Sequence, residues 1–547
     1  MPPTLTRREW FSLLLFAAAV MMITSLPYLI GSQAARPGEH YTGLLLGIED
    51  ANSYLAKMRL GANGAWLFTM RYTAEPHTPA LLFTPYLLIG KIAGLIAPPT
   101  SPAHYDALLM VFHGVRFLSG MLVIVVSYRF LAAFVRVRAL RWLGAVLVSL
   151  GGGLGWLLVS TGNGNYLGWT PVDLLLPEGY TFYLLYGLPH LALARAGLLV
   201  GLLCLFQSAR CFRPDQWLRW SMVAGACWLV MAVCVPFYGA VLALILGAWG
   251  LGVWLRRGRF PLDLIWRCAV GGILPGIMLL YSLLVTATEP VLKATFQDQN
   301  LLTSPPPIHF LFGYGLLTLA ALPAFPCVWQ RGKKDIRWIL PLSWLIIAPV
   351  LAYFPIEVQR RMLEGVFVPL CLMSVIGLRL WWIALRRVTQ RRAGWVWRAL
   401  ALGIAAISLG TPIMTMLAGA FAPYNEQNRP QFNVSAGAVA MFEWLNANTS
   451  PDQVALSATR AFSNRIPAWT NLRSYLGHPV ETLDALTKEA EVKAFYEGRM
   501  EAPERQSFFA QRGIRYWLFT PDDPPPPDDL IPVYVNEAGY RVFKVGK

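Results

Sequence analysis

The chain has 547 residues, 56% of them hydrophobic and 14% charged, with a mean hydropathy of +0.47. Soluble domains carry about a quarter charged residues, so this composition excludes a cytosolic enzyme, a secreted disulfide scaffold and a disordered chain. The net charge of +16 is no nucleic-acid signature either, because 33 of the 46 Lys and Arg precede Phe421 and the excess sits in short loops between apolar runs. That is the positive-inside pattern of a polytopic membrane protein.

Arg7 and Arg8 precede the apolar run Trp10–Ile30, which reads as a retained first helix with a cytoplasmic N-terminus. Hydropathy marks about twelve apolar segments: 10–30, 78–97, 107–134, 142–160, 188–208, 218–235, 237–255, 262–286, 308–329, 338–355, 364–385 and 399–421. From Arg136 onward every basic loop falls on one side: Arg136, Arg138 and Arg141; Arg210, Arg213 and Arg219; Arg256, Arg257 and Arg259; Arg331, Lys333, Lys334 and Arg337; Arg386, Arg387, Arg391 and Arg392. Loops 31–77, 161–187, 287–307 and 356–363 then face outward, as does the tail. Two crossings between loop 31–77 and Arg136 break this parity. Segment 78–97, with Pro79, Pro85 and Lys91, is expected to be the partial or re-entrant one.

After Phe421 the composition turns polar, with 13 basic and 15 acidic residues over 422–547. Ser435–Asn448, Glu481–Tyr496 and Pro503–Arg512 read as helices, Gln453–Ser457 and Ile514–Thr520 as buried strands. Pro521–Asp529 reads as a proline-and-acid loop, and Val533–Val535 with Arg541–Val545 as a hairpin. The expected organisation is a transmembrane module over 1–421 and a soluble α/β domain over 422–547. The seven cysteines lie between Cys204 and Cys371 with no metal or disulfide spacing.

Few ionisable groups face outward. Glu49 and Asp50 are adjacent in the first outward loop, and a helix beginning there places Tyr54 and Lys57 or Met58 on the face of Asp50. In a first helical turn the dipole keeps an acid ionised, able to accept a proton or bind a metal; the plain alternative is a helix cap. Glu75 and His77 at one membrane entry, and Asp173, Glu178 and His190 at the next, extend this into a candidate rim, because charge at a bilayer surface is costly unless used or paired. Arg360 and Arg361 sit at an outward end against the positive-inside bias. Their guanidinium forks match a lipid phosphate, or pair with Glu357 and Glu364. Gly151–Gly155 lacks the Lys-Ser/Thr of a phosphate loop and reads as close helix packing.

The acidic pair in the first outward loop, the many helices, the outward arginines near the last ones and the outward tail together resemble the GT-C superfamily. These are integral-membrane glycosyltransferases that use polyprenyl-phosphate-linked sugars. The likeness is to bacterial members of the mannosyltransferase and lipid A aminoarabinose transferase type. The tail, from Phe442-Glu443-Trp444-Leu445-Asn446 through Ser474-Tyr475-Leu476-Gly477-His478-Pro479-Val480-Glu481-Thr482 to Gly513-Ile514-Arg515-Tyr516-Trp517, is similar to the tails of such proteins.

The resemblance implies a mainly α, polytopic transmembrane bundle of about 11–13 helices in a bacterial inner membrane, with the small α/β domain outside. It implies inverting hexosyl or pentosyl transfer to a lipid, glycan or protein acceptor. Asp50, or Glu49, would be the base and Arg360 with Arg361 the donor-phosphate clamp. Tyr54, Glu75, His77, Asp173, Glu178, His190 and His478 would line the substrate site. Some members use a divalent metal, Mg or Mn; adjacent acids in place of a separated Asp-x-Asp leave that open here. The competing readings are a multispan solute or lipid transporter, for which Arg116 and Arg195 inside apolar segments speak, and a non-catalytic envelope assembly protein.

Overall fold

The computed structural model describes residues 5–389, 393–526 and 530–545. Arg391, Arg392 and the end of the proline-and-acid loop, 527–529, lie outside the described residues. The chain divides into two compact units. The first holds 1–25, 116–281 and 302–418; the second holds 26–115, 282–301 and 419–547.

Among the described residues eight helices are long and apolar enough to cross a membrane, nine if the pair Pro307–Ala321 and Ala324–Gly332, bent by 62°, counts as one span. These are fewer than the apolar segments, for local reasons. Segment 78–97 yields only the helix Thr84–Ile96, 13 residues long. At 1.5 Å per residue that is about 20 Å, short of a bilayer core of about 30 Å. Pro85 occupies its first turn. Lys91 turns back over the Trp66 ring, 4.2 Å away, and donates to the Gly64 carbonyl at 3.0 Å. Segment 142–160 is interrupted between helices Arg138–Leu150 and Gly155–Ser160, at the glycine run.

Within the first unit that glycine run is a carboxylate cradle. The Gly153 and Gly155 N–H groups each donate to Asp173 Oδ2 at 2.9 Å, and Thr411 Oγ1 donates to the same oxygen at 2.5 Å. A Cβ on Gly155 would stand 2.3 Å from Asp173 Oδ1, and one on Gly153 2.4 Å from the Gly313 carbonyl, so both positions require glycine. The arginines inside apolar segments are likewise internal ties. Arg116 donates to the Leu185 carbonyl at 3.0 Å and to Ser25 Oγ at 2.6 Å. Arg195 forms a bidentate pair with Glu364, at 2.7 and 2.9 Å.

The second unit carries both sheets. Strand β1 (Glu39–Tyr41) pairs antiparallel with β2 (Asn433–Ser435), Glu39 opposite Ser435, so loop 31–77 and the tail share a ladder. The five-stranded sheet joins β3 (Val454–Leu456), β4 (Arg473–Ser474), β5 (Ile514–Phe519), β6 (Pro532–Val535) and β7 (Arg541–Lys544) in the order β4-β3-β5-β7-β6. Strand β3 runs parallel to β4 and β5, whereas β7 is antiparallel to β5 and β6. Ser435 caps the helix Ala436–Asn448 by accepting from the Ala438 N–H. That helix buries Met441, Phe442 and Leu445 in one core with Leu55 and Met58 of the helix Ile48–Ala62. Each such side chain contributes about 1.5–3 kcal/mol of burial, so the acidic loop and the tail fold as one body.

Candidate functional site

The helix Ile48–Ala62 starts at Gly47, which adopts a left-handed φ of 53°, and carries Glu49 and Asp50 in its first turn. Asp50 does not act as the cap residue; that position is Gly47. Its Oδ1 instead accepts from His478 Nε2 at 3.2 Å, with the imidazole 3% exposed and the carboxylate 60% exposed. Further along the same face, Ser53 Oγ and Lys57 Nζ donate to Glu481 Oε1 at 2.6 and 2.5 Å, all of them buried. Asp50, Ser53 and Lys57 therefore read the segment 478–481 at two points. Glu481 stays ionised: burial pushes its carboxyl up, but Lys57 and its hydrogen bonds outweigh that and hold it below the usual carboxylate range.

The segment opposite is built to present those groups. Thr482 Oγ1 accepts from the Gly477 and His478 N–H groups at 3.2 and 3.1 Å. Gly477 packs where a Cβ would lie 2.8 Å from the Tyr72 ring. Gln299 donates to the Thr482 carbonyl at 2.9 Å. Asn464 accepts from the Asn52 amide at 2.8 Å and donates to the Glu49 carbonyl at 3.2 Å, fixing the helix start from a second side. Glu49 itself pairs with Arg460 at 3.2 Å, and Arg460 also with Glu489 at 2.9 Å.

The other expected residues of this unit have partners within the fold. Tyr54 stacks on Tyr86 with centroids 4.6 Å apart. Glu75 accepts from Lys488 at 2.8 Å and from Thr73. Burial raises the Glu75 carboxyl, but those hydrogen bonds win and leave it lowered. His77 accepts from the Met70 N–H at 2.8 Å and donates from Nδ1 to the Glu75 carbonyl at 2.9 Å, which uses both ring nitrogens.

In the first unit the short turn Gln359–Leu363 carries both arginines. Arg361 pairs with Glu178 at 3.4 Å, where the sequence pointed to Glu357 or Glu364; Glu364 is taken by Arg195. Among the described residues nothing accepts a hydrogen bond from the Arg360 guanidinium. Burial lowers its pKa, against the opposing pull of Glu178. The turn is anchored by Glu178, whose backbone carbonyl accepts from the Gly365 N–H at 3.1 Å and from Arg195. Asp173 is buried in the glycine cradle, and His190 is half-buried in the first turn of the helix Pro189–Ser208.

Sequence reasoning missed Ser53 and Glu481, and it placed Lys57 on the Asp50 face without a partner. The positions of Asp50, Ser53 and Lys57 mark a single helix face by their periodicity. Nothing local points to Glu481, which lies 424 residues beyond Lys57.

A Mg or Mn centre calls for several oxygen ligands converging at about 2.0–2.2 Å. Glu49 is engaged by Arg460 and Asp50 by His478, and among the described residues no three His, Cys, Asp or Glu side chains gather to hold an ion. The residues present do not fit a protein-built metal centre.

No family model and no curated relative matches the chain. Solved structures do. The archaeal oligosaccharyltransferase AglB from Archaeoglobus fulgidus, in complex with an inhibitory peptide and a dolichol-phosphate, aligns with a TM-score of 0.56 at 12% identity, over 91% of this chain and 69% of that one. The chain shares the fold of that oligosaccharyltransferase. The apo form of the Archaeoglobus fulgidus oligosaccharyltransferase gives a TM-score of 0.55 at 12% identity, over 92% of this chain and 69% of that one. A complex of that enzyme with Zn and sulfate gives 0.50 at 13% identity, over 91% and 67%. The likeness in fold thus extends along nearly the whole chain.

Proposed function

We propose that this protein is an inverting glycosyltransferase that moves a hexosyl or pentosyl group from a polyprenyl-phosphate donor to an acceptor at the outer face of a bacterial inner membrane. The observation that carries the reading is Arg360, a partly desolvated guanidinium without a hydrogen-bonded partner among the described residues, on a turn already braced by Glu178 and Glu364. A partly desolvated cation with no hydrogen-bonded partner is costly unless an anion completes it. A lipid phosphate at the membrane surface is the anion that suits a guanidinium fork. The GT-C fold and the dolichol-phosphate bound to the archaeal neighbour support the same donor class.

The chemistry assigned to these groups is short. Asp50 takes the proton of the acceptor hydroxyl. The hydroxyl oxygen attacks the anomeric carbon, the bond from that carbon to the phosphate oxygen breaks, and the configuration inverts. Charge appears on the leaving phosphate, and a guanidinium such as that of Arg360, or then Arg361, is the kind of group that stabilises it. Glu49, paired with Arg460, is the alternative base.

The transporter reading loses its support, since Arg116 and Arg195 are both spent on internal hydrogen bonds. The test is reconstitution in proteoliposomes with polyprenyl-phosphate-linked hexoses and pentoses and a panel of lipid, glycan and peptide acceptors. Acceptor-dependent release of polyprenyl phosphate is expected. Donor consumption with none of the panel, alongside flux of free solute across the bilayer, would contradict the assignment.

A further inference from the structure

The imidazole of His478 has only one tautomer that fits its surroundings. Its Nδ1 faces two backbone donors, the Val480 and Glu481 N–H groups, each at 3.1 Å. Two N–H groups aimed at one ring nitrogen require a lone pair there, so the proton sits on Nε2. That Nε2–H donates to Asp50 Oδ1 at 3.2 Å. The ring is locked by its own chain: Thr482 ties the start of the turn, and Tyr72 lies against the ring with centroids 5.5 Å apart. A rigid, buried donor thus holds one oxygen of an exposed carboxylate, and it comes from a segment more than four hundred residues away in sequence.

Resting on the glycosyltransferase reading, we propose that His478 is a positioning residue for the Asp50 base, and that this N–H does the orienting that a divalent cation would otherwise do. Three observations carry it. The tautomer is dictated by backbone geometry. The exposure gradient, 3% for the imidazole against 60% for the carboxylate, aims Asp50 outward toward a substrate. Neither Glu49 nor any third acid joins Asp50 in a ligand set among the described residues. A carboxylate able to rotate about χ1 and χ2 would sample many orientations; one held by a buried donor stays near a single one. Misplacing a catalytic group by about 1 Å costs roughly a hundredfold in rate.

Two substitutions separate this role from a merely structural one. In His478→Asn the amide oxygen replaces Nδ1 as acceptor for the Val480 and Glu481 N–H groups, so the turn is kept while the donor to Asp50 is lost. In His478→Gln an amide N–H reaches toward Asp50 again. The experiment is performed on the full-length protein in proteoliposomes, with the polyprenyl-phosphate sugar found active in the donor panel. His478→Asn is expected to lower kcat about a hundredfold with KM for the donor unchanged, and His478→Gln to recover part of that loss. Nitrogen-15 NMR of selectively histidine-labelled protein, which needs no activity, should show His478 protonated at Nε2 and unprotonated at Nδ1, with its Nε2 resonance moving in Asp50→Asn. Wild-type kcat in His478→Asn, or a ring protonated at Nδ1, overturns the proposal. If the wild type transfers no sugar while the NMR shows the expected tautomer, the functional reading fails and the catalytic role falls with it, whereas the hydrogen-bonded pair itself stands.

Discussion

Several of the acids expected to face outward are matched with a base: Glu49 with Arg460, Glu75 with Lys488 and Glu178 with Arg361. Asp50 differs in that an imidazole N–H holds one of its oxygens while the carboxylate stays 60% exposed. Arg360 differs in having no hydrogen-bonded partner for its guanidinium among the described residues. For Arg360→Ala we expect KM for the lipid-linked donor to rise about tenfold or more, with the acceptor KM unaltered; steady-state kinetics with each substrate varied in turn checks it. Loss of one charge-assisted hydrogen bond, about 1.5–3 kcal/mol, corresponds to that range. Arg361→Ala should lose less, because Arg361 is shared with Glu178. The sequence singled out these acids as a set, but local spacing could not say which of them are taken by partners within the fold. Glu75 and His77 are used by a local turn, and Asp173 by a glycine cradle whose Thr411 partner lies 238 residues away. Such partners are set by tertiary contact and leave no trace in local spacing.

At the scale of elements, the helix Ile48–Ala62 is held by a buried ion pair as well as by Leu55 and Met58. Removing one partner leaves a buried charge uncompensated, which costs about 3–5 kcal/mol. Glu481→Gln or Lys57→Met should therefore lower the thermal midpoint of the second unit, as read by scanning calorimetry or by protease resistance of the tail. The double replacement Lys57→Met with Glu481→Leu should recover most of it. The pH dependence follows from the same groups. Glu481 and Glu75 both have carboxyls lowered below the ordinary value of 4.5. Their stabilisation is present above the unfolded-state value and is lost as pH falls through the folded-state values. The second unit should hold its stability down to about pH 4.5 and lose it in more acid solution; a loss already complete near neutrality would contradict this. The tail elements were legible, because β-branched and aromatic runs bounded by proline, glycine and acids mark strands locally. The β1–β2 ladder was not, since its strands are three residues each and nearly four hundred residues apart.

For the whole molecule, hydropathy identified a multispan protein, yet apolar character alone does not measure helix length. The break at Gly151–Gly155 and the 13-residue helix Thr84–Ile96 show two ways in which an apolar run falls short of a long helix. If Thr84–Ile96 turns back, as its length of 13 residues requires of a segment too short to span, the two loops flanking it belong on one side. In a cysteine-free background, Leu67→Cys and Thr100→Cys should both react with a membrane-impermeant maleimide added from the same side, and labelling from opposite sides would refute it. Asp50 is the group on which the proposed chemistry turns most directly. Purified wild-type protein should transfer sugar from the polyprenyl-phosphate donor to acceptor, whereas Asp50→Asn should insert and fold normally, bind donor with unchanged affinity and lose at least about a thousandfold in kcat, about 4 kcal/mol in barrier. Transfer by Asp50→Asn at the wild-type rate would contradict its role as the base.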